Sequence, residues 1–239
     1  MKTAFQLGDT IVHAKLHEHG AGPTYLNVHD DEDTSVQAGL VNLARHGGRL
    51  IELVHSGERL ITFGLDGQRY SFDPNRIFSD AGISETLRRH SRYSASAHEE
   101  IRRFAHGYRE QFALDSESIV VALHNATEGP FSVEAFLPDG YLGAEAELIH
   151  MNCSRSKYDF FFVTERRFFE WLRQRNFNAV LQNNREASDD GSLSVYFAAR
   201  GIPYINVEAK NDHLANQIEM LELVREIMTE FGFKYSRPA

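Results

Sequence analysis

The chain has 239 residues, of which 42% are hydrophobic and 25% are charged, and its net charge is −9. This length and composition suit one globular domain with a full hydrophobic core, so we expect a single domain over residues 1–239. The negative charge argues against a nucleic-acid backbone or an anionic membrane as the main partner.

Cysteine content and hydropathy indicate the compartment. Cys153 is the single cysteine, which excludes an internal disulfide and fits a reducing environment. The first residues lack the long apolar core of a signal peptide, and no stretch approaches the ~20 apolar residues that span a bilayer. We therefore expect a cytoplasmic protein.

The N-terminal third predicts strands around one helix. Residues 3–16 alternate irregularly and predict a strand or hairpin at a sheet edge. Tyr25–Val28 is mostly apolar and predicts a buried strand, after which Thr34 or Ser35 could cap a helix. Arg49–Val54 predicts the next strand. Strand, helix and strand in this order favour a parallel crossover.

An aromatic-flanked loop follows a predicted strand over Arg59–Phe63. Pro74 favours an extended conformation at Asp73 and argues against a helix through this stretch. Asn75 and Arg76 are therefore predicted to lie on a loop. The planar guanidinium of an arginine suits a carboxylate ligand, although a loop arginine is more often a surface cation.

The remaining two thirds of the chain alternate between strand and helix patterns. In chain order these are a basic, mostly helical segment Ser84–Phe112, a buried strand Ser118–Asn125, a strand Asp159–Val163, a helix Glu165–Gln174, a strand Asn178–Leu181, a polar loop Gln182–Asp190, a short helix Leu193–Ala199, a strand Ile202–Glu208 and a last helix capped by Asn211 or Asp212. This alternation predicts an α/β fold, with a mostly parallel, mixed twisted sheet and helices on both faces.

Three predicted strands end in chemically competent residues. His29 and Glu32 follow the first, His124 ends another and Glu208 ends a third. An isolated His-x-x-Glu more often belongs to a solvated loop. In parallel sheets, however, ligands bind beyond the carboxyl ends of the strands, and these residues would meet there. Two histidines and one carboxylate form an open three-ligand zinc site with room for water. A second, unligated carboxylate is then needed to move a proton, and Glu208 fits that role.

These motifs together resemble the zinc metallocarboxypeptidases and the related succinylglutamate desuccinylase and aspartoacylase group. The resemblance rests on His29-x-x-Glu32, Asp-Pro-Asn75-Arg76-Ile-Phe78, His124, Gly191-Ser192 and Glu208, whose order matches from Thr24 to Lys210. The number of residues between Glu32 and His124 suits the desuccinylase group. The Asn-Arg-x-Phe motif and the Gly-Ser stretch suit the carboxypeptidases, so both groups stay open.

The resemblance implies a role for each matching residue. It implies that His29, Glu32 and His124 bind zinc, that Asn75 and Arg76 hold a substrate carboxylate, that Glu208 is the general base and proton shuttle, and that Arg59 or Arg69 polarises the scissile carbonyl. One departure concerns the mobile tyrosine that carboxypeptidases carry just before Gly-Ser. Arg185–Asp190 stands there without a tyrosine. The acidic residues Asp30, Asp31 and Asp33 could orient the ligands or hold a second metal.

We therefore expect a zinc-dependent hydrolase of an amide bond next to a carboxylate. Its partner would be a small carboxylate-bearing substrate or a peptide C-terminus. Carboxypeptidase action is the first interpretation, and deacylation of an N-acyl amino acid is the second. A non-catalytic binding relative is the competing class, against which Glu208 argues because a binder needs no proton shuttle. The oligomeric state is left open.

Overall fold

The computed structural model describes residues 1–233. Its strands are β1 (Lys2–Leu7), β2 (Thr10–His19), β3 (Thr24–Asn27), β4 (Gly48–Val54), β5 (Ile61–Leu65), β6 (Gln68–Phe72), β7 (Val120–Ala126), β8 (Ala146–His150), β9 (Phe160–Val163), β10 (Ala179–Gln182) and β11 (Tyr204–Lys210). Its α-helices are α1 (Asp33–His46), α2 (Asp80–His90), α3 (Ala95–Gln111), α4 (Arg166–Gln174), α5 (Leu193–Ala198) and α6 (Leu214–Glu230).

Nine strands form one sheet in the order β1-β2-β4-β3-β7-β11-β9-β10-β8, and β5 pairs with β6 in a separate hairpin. The centre, β4-β3-β7-β11, is parallel. Antiparallel pairings lie on both sides of this centre, at β1-β2, β2-β4, β11-β9 and β10-β8. The predicted mixed α/β sheet is confirmed.

Helices cover both faces of the sheet, as the alternation in β7 illustrates. Val120 and Ala122 pack in a cluster that includes residues of α2, α3 and α5. Val121 and Leu123 point the other way and pack with residues of α1, α4 and α6. Every residue of β7 is buried, which is why its sequence is nearly continuously apolar.

Several element boundaries differ from the predictions. The segment Ser84–Phe112 is mostly helical, as predicted, and contains two helices: α2 starts before it and ends at His90, and the hydroxyl of Ser94 caps a separate α3 by accepting from Ala97 N. The strand predicted from Arg59 begins only at Ile61, and β8 was not predicted. Since β8 pairs only at the sheet edge, its five residues carry little of the burial pattern that identifies a strand.

Both predicted helix caps were also wrong. Glu32, rather than Thr34 or Ser35, precedes α1, and its carboxylate makes no cap because it points towards two histidines. His213, rather than Asn211 or Asp212, precedes α6 and also makes no side-chain cap. Within residues 1–233, no helix combines the length and the apolar character that crossing a membrane requires.

The chain changes direction across the sheet between β3 and β7. From β3 it passes through α1 to β4 on one side, whereas β7 pairs with the other side of β3. Such a reversal opens a crevice at the carboxyl ends of the parallel strands. The residues that follow or end β3, β7 and β11 therefore meet at one place.

Candidate active site

Three potential metal ligands lie at this reversal. His29 follows β3, Glu32 immediately precedes α1, and His124 lies within β7. Their exposed fractions are 1%, 3% and 4%, respectively. One ligand atom from each lies within 4.8 Å of the others, and among residues 1–233 they form the one such group of His, Cys, Asp and Glu side chains. The fold thus brings together residues that are up to 95 positions apart.

The ligand atoms of this group converge on one point. The Nδ1 atoms of His29 and His124 are 3.2 Å apart. One carboxylate oxygen of Glu32 lies 2.9 Å from His29 Nδ1, and the other lies 3.0 Å from His124 Nδ1. The carboxylate therefore faces both imidazoles at once.

This donor set fits a zinc ion. Bonds of about 2.0–2.2 Å in tetrahedral geometry place neighbouring ligand atoms roughly 3.3–3.5 Å apart, close to the separations observed here. His29 Nε2 donates to Asp73 Oδ1 at 2.9 Å, so the proton of the neutral ring is held there and the lone pair of Nδ1 faces the other ligands. Two histidine nitrogens and one carboxylate are a ligand set that zinc takes in catalytic sites.

Asp73 and Arg59 surround this group with further charge. Arg59 Nη1 donates to Glu32 Oε1 at 2.8 Å, and its Nε lies 4.0 Å from Asp73 Oδ2. Asp73 is extended, as Pro74 predicts, with φ −82° and ψ 120°. The sequence did not single out Asp73 as a partner of His29, because the contact spans 44 positions. The sequence signal that could have pointed to Asp73 is its position directly before the Pro-Asn-Arg motif.

The titration of these groups reflects their burial and their charges. Burial alone would lower the pKa of His29, but the carboxylates of Glu32 and Asp73 raise it to about 9. Burial would raise the pKa of Glu32, but the neighbouring histidines hold it well below its ordinary value. For His124 burial prevails, so its pKa is lowered. Without metal, the ion pair is therefore centred on His29 and Glu32.

A buried amide network holds β7 against α1 and α6. Gln217 Nε2 donates to the carbonyl oxygen of His124 at 3.0 Å, and Asn125 Nδ2 donates to Gln217 Oε1 at 2.9 Å. Asn125 Oδ1 in turn accepts from the backbone of Ser35 in the first turn of α1. This network fixes the backbone at His124 relative to the helix that follows Glu32.

Glu208 lies beside His29, Glu32 and His124, which together are called the ligand group. It pairs with His124 in the parallel register of β11 and β7, so both side chains lie on the same face of the sheet. It is 4% exposed, and burial followed by the charge of Glu32 raises its pKa to about 8. The strand runs on to Lys210, so Glu208 does not end it as the sequence predicted. Asn206 Nδ2 donates to Glu208 Oε2 at 3.3 Å.

Asn75 and Arg76 lie together on a 3-10 turn, Pro74–Arg76, beside the ligand group. Asn75 Oδ1 accepts from the backbone of Leu193 at 3.0 Å, which leaves its amide nitrogen available as a donor. Arg76 Nε lies 3.4 Å from Asp190 Oδ2, with both side chains about one-third exposed. The predicted carboxylate anchor therefore already has a carboxylate partner within the protein.

Gly191 explains how this turn meets the segment before α5. Its φ is +73°, and a Cβ built on it would lie 2.7 Å from the carbonyl oxygen of Arg76 and 2.8 Å from Cα of Gly82. Its own carbonyl oxygen accepts from Phe78 N at 3.0 Å. A glycine is required because two backbones pass in contact here.

Other predicted candidates lie elsewhere. Arg69 is on β6, 66% exposed, and contacts Asp9 at 3.4 Å, so of the two candidate arginines only Arg59 lies at the ligand group. Asp30 accepts from the backbone nitrogens of residues 55–57 at 2.6–2.8 Å and thereby holds the loop that leads to Arg59. Asp31 and Asp33 are exposed.

Comparison with known proteins found similarity at the level of structure. No family model and no curated protein matches the chain. The tripeptide-bound cell shape determinant Csd4 from Helicobacter pylori is 12% identical, with a TM-score of 0.48 over 95% of this chain and 57% of that chain. A succinylglutamate desuccinylase from Vibrio parahaemolyticus is 10% identical, with a TM-score of 0.45 over 96% and 66% of the two chains. A candidate metallopeptidase from Shewanella amazonensis is 13% identical, with a TM-score of 0.38 over 94% and 86%.

The chain spans 57% of the length of the Csd4 structure it matches. Identities of 10–13% do not assign an activity, so the chemistry must be argued from the residues of this chain.

Proposed function

We propose that this protein is a zinc-dependent hydrolase of an amide bond next to a carboxylate, acting as one domain over residues 1–239. The observation that carries the proposal is the convergence of His29, Glu32 and His124 with Glu208 beside them on the same face. A binding site needs only the first three residues. The fourth, a buried carboxylate outside the ligand group, is the group that hydrolysis requires.

Each nearby side chain has a defined task in this chemistry. When bound, zinc would polarise the scissile carbonyl and increase the acidity of water. Glu208 takes the proton of the attacking water and delivers it to the leaving nitrogen. In the metal-free protein, burial and the charge of Glu32 raise the pKa of Glu208 to about 8. Arg59 would donate to the carbonyl oxygen of the substrate. For this its guanidinium must give up the hydrogen bond that it donates to Glu32.

A substrate carboxylate would be held by Arg76 and the amide nitrogen of Asn75. The guanidinium offers a planar pair of donors, and the amide is oriented by its bond to Leu193. A peptide C-terminus satisfies this geometry, so carboxypeptidase action is the first choice. The alternative is deacylation of an N-acyl amino acid, which places the same carboxylate next to the same amide bond.

The segment before α5 favours keeping the deacylase alternative. Residues 183–190 contain no tyrosine, and Asp190 lies against Arg76. A long peptide would have to pass this acidic segment, whereas a small acyl amino acid would not. The choice between the two substrates is therefore made by experiment.

The test combines metal analysis with a substrate panel. Purified protein should carry close to one zinc per chain and should release amino acids from C-terminal peptides or from N-acyl amino acids. Glu208→Gln, which keeps shape but cannot carry the proton, should retain zinc and lose about 10²–10⁴ in kcat. Zinc-loaded protein that hydrolyses no member of either series would refute the proposal and leave the non-catalytic binding class.

A matched control comes from the second candidate arginine. Arg69→Ala removes an exposed cation of the same type, far from the ligand group, and should leave activity unchanged. Arg59→Ala should lower kcat. Equal losses in both variants would show that general charge, rather than the position of Arg59, controls the rate.

A further inference from the structure

A set of buried polar side chains lies behind the ligand group, on the opposite face of the sheet. In β7 the side chain of His124 points to one face and that of Asn125 to the other, where α1 and α6 pack. Ser35 of α1, Asn125 and Gln217 of α6, here called the buried network, have exposed fractions of 0%, 5% and 0%. These three residues bond to one another and to the backbone that carries the site.

The hydrogen bonds of the buried network run without a break from Glu32 to His124. Ser35 Oγ donates to the carbonyl oxygen of Glu32 at 2.8 Å, and Ser35 N donates to Asn125 Oδ1 at 2.8 Å. Asn125 Nδ2 donates to Gln217 Oε1 at 2.9 Å, and Gln217 Nε2 donates to the carbonyl oxygen of His124 at 3.0 Å. Two candidate metal ligands that are 92 positions apart are therefore joined through their backbones.

The buried network also reaches the strand that carries Glu208. Asn125 Nδ2 donates to the carbonyl oxygen of Ala209 at 3.3 Å. Gln217 Nε2 donates to the carbonyl oxygen of Val207 at 3.5 Å. The backbone on each side of Glu208 is thus held by the same two amides that hold β7.

Polar side chains are costly at this place in the fold. They lie where α1 and α6 otherwise bury apolar residues, and apolar side chains would fill the space without removing amides from water. Asn27, two residues before His29, donates from Nδ2 to Ser35 Oγ at 2.8 Å, but its buried Oδ1 has no partner within residues 1–233. What such a network adds is rigidity, because each hydrogen bond requires one arrangement of the backbone.

We propose that Ser35, Asn125 and Gln217 are positioning residues that preorganise the metal site and thereby raise its affinity for zinc. They hold the backbone at Glu32 and His124 before the metal binds, so less conformational freedom is lost on binding. Partners behind the direct ligands typically change metal affinity about 10–100-fold. The inference rests on the metal site of the proposed function.

Zinc affinity in variants of the buried network tests this role. Gln217→Leu removes the donor to His124, and because leucine suits a helix in apolar surroundings, this variant should fold and decides the test by itself. Ser35→Ala removes the hydroxyl that holds Glu32. Competition with a chromophoric chelator should show about tenfold weaker zinc binding in each variant. The double variant should lose clearly less than the roughly hundredfold that two independent effects would give.

Thr164→Val serves as the matched control. Thr164 is 4% exposed, and its hydroxyl accepts from the backbone of Tyr204 at 3.0 Å, at the other end of β11. The substitution removes a buried hydroxyl at nearly constant shape, so it should lower the free energy of unfolding and leave zinc affinity unchanged. The visible absorption of cobalt(II) bound in place of zinc reports the ligand geometry. It should change in Gln217→Leu and Ser35→Ala but not in the control.

The possible outcomes separate this inference from the proposed function. Zinc affinity within about twofold of wild type in folded Gln217→Leu would overturn the positioning role. So would an equal loss in Thr164→Val, since general destabilisation would then explain the effect. A wild-type protein that binds no zinc would refute the metal site and this inference together. Because zinc binding needs no turnover, weakened binding in the variants of a protein that hydrolyses nothing would refute only the hydrolase.

Discussion

Replacing Glu208 by glutamine should stabilise the metal-free protein at alkaline pH. Glu208 is 4% exposed, and it lies near the negative charge of Glu32. Burial and that charge raise the pKa of Glu208 to about 8, against an ordinary value of 4.5. Ionising it in the folded protein therefore costs free energy that a neutral glutamine of nearly the same shape avoids.

The sign and the pH range follow from proton linkage. Between about pH 4.5 and pH 8 the unfolded chain releases this proton while the folded chain keeps it, so the free energy of unfolding falls as the pH rises. Above pH 8 both states are ionised, and the full difference, ~5 kcal/mol, is present. Glu208→Gln lacks this loss, so its advantage should be near zero at pH 4.5 and largest above pH 8.

Urea unfolding of both proteins in the presence of a chelator measures this difference. Curves at pH 5, 7 and 9 should show a growing gap in the free energy of unfolding, with the variant the more stable. Groups that titrate identically in both proteins cancel in the comparison. Equal stabilities at pH 9, or a less stable variant, would show that the carboxylate of Glu208 is satisfied in the folded protein.

Three further predictions concern the metal and the anchor. His124→Ala should remove zinc from the purified protein, as measured by metal analysis, because it deletes one of the three ligand atoms; full zinc content would place the metal elsewhere. Arg76→Lys should raise KM about tenfold for carboxylate substrates and leave that of their amidated analogues unchanged, because a lysine lacks the planar pair of donors; equal effects on both would indicate a structural role. Asp190→Asn should lower KM for carboxylate substrates about two- to fivefold, because it removes a partly exposed competitor for Arg76; an increased KM would show that Asp190 orients the anchor.

The convergence of His29, Glu32 and His124 could be predicted because these residues lie in or next to apolar strands. A histidine or glutamate next to a buried strand is visible in the sequence, as His29, His124 and Glu208 show. The carboxyl ends of parallel strands then bring such residues together without any knowledge of side-chain contacts. The α/β fold could be predicted from a second feature of the sequence, the alternation of strongly patterned strands and helices.

The partners of these residues could not be predicted in the same way. Asp73 contacts His29 from a turn after the β5-β6 hairpin, and Gln217 reaches His124 from α6. Neither residue interrupts a pattern in its own segment: an aspartate before a proline is ordinary in a loop, and a glutamine is ordinary in a helix. Their roles arise from packing between distant elements, which local sequence does not encode.

The charges around Arg76 link the local sequence to the expected substrate. The segment before Gly191 supplies an aspartate at position 190 where a carboxypeptidase has a mobile tyrosine, and this aspartate lies 3.4 Å from the guanidinium. An incoming carboxylate must displace Asp190 or share the arginine with it. Both side chains are about one-third exposed, so water weakens their attraction and exchange costs little. Under the proposed function, the substrate carboxylate would therefore add little net affinity at Arg76 and would serve mainly to place the amide bond next to Glu208.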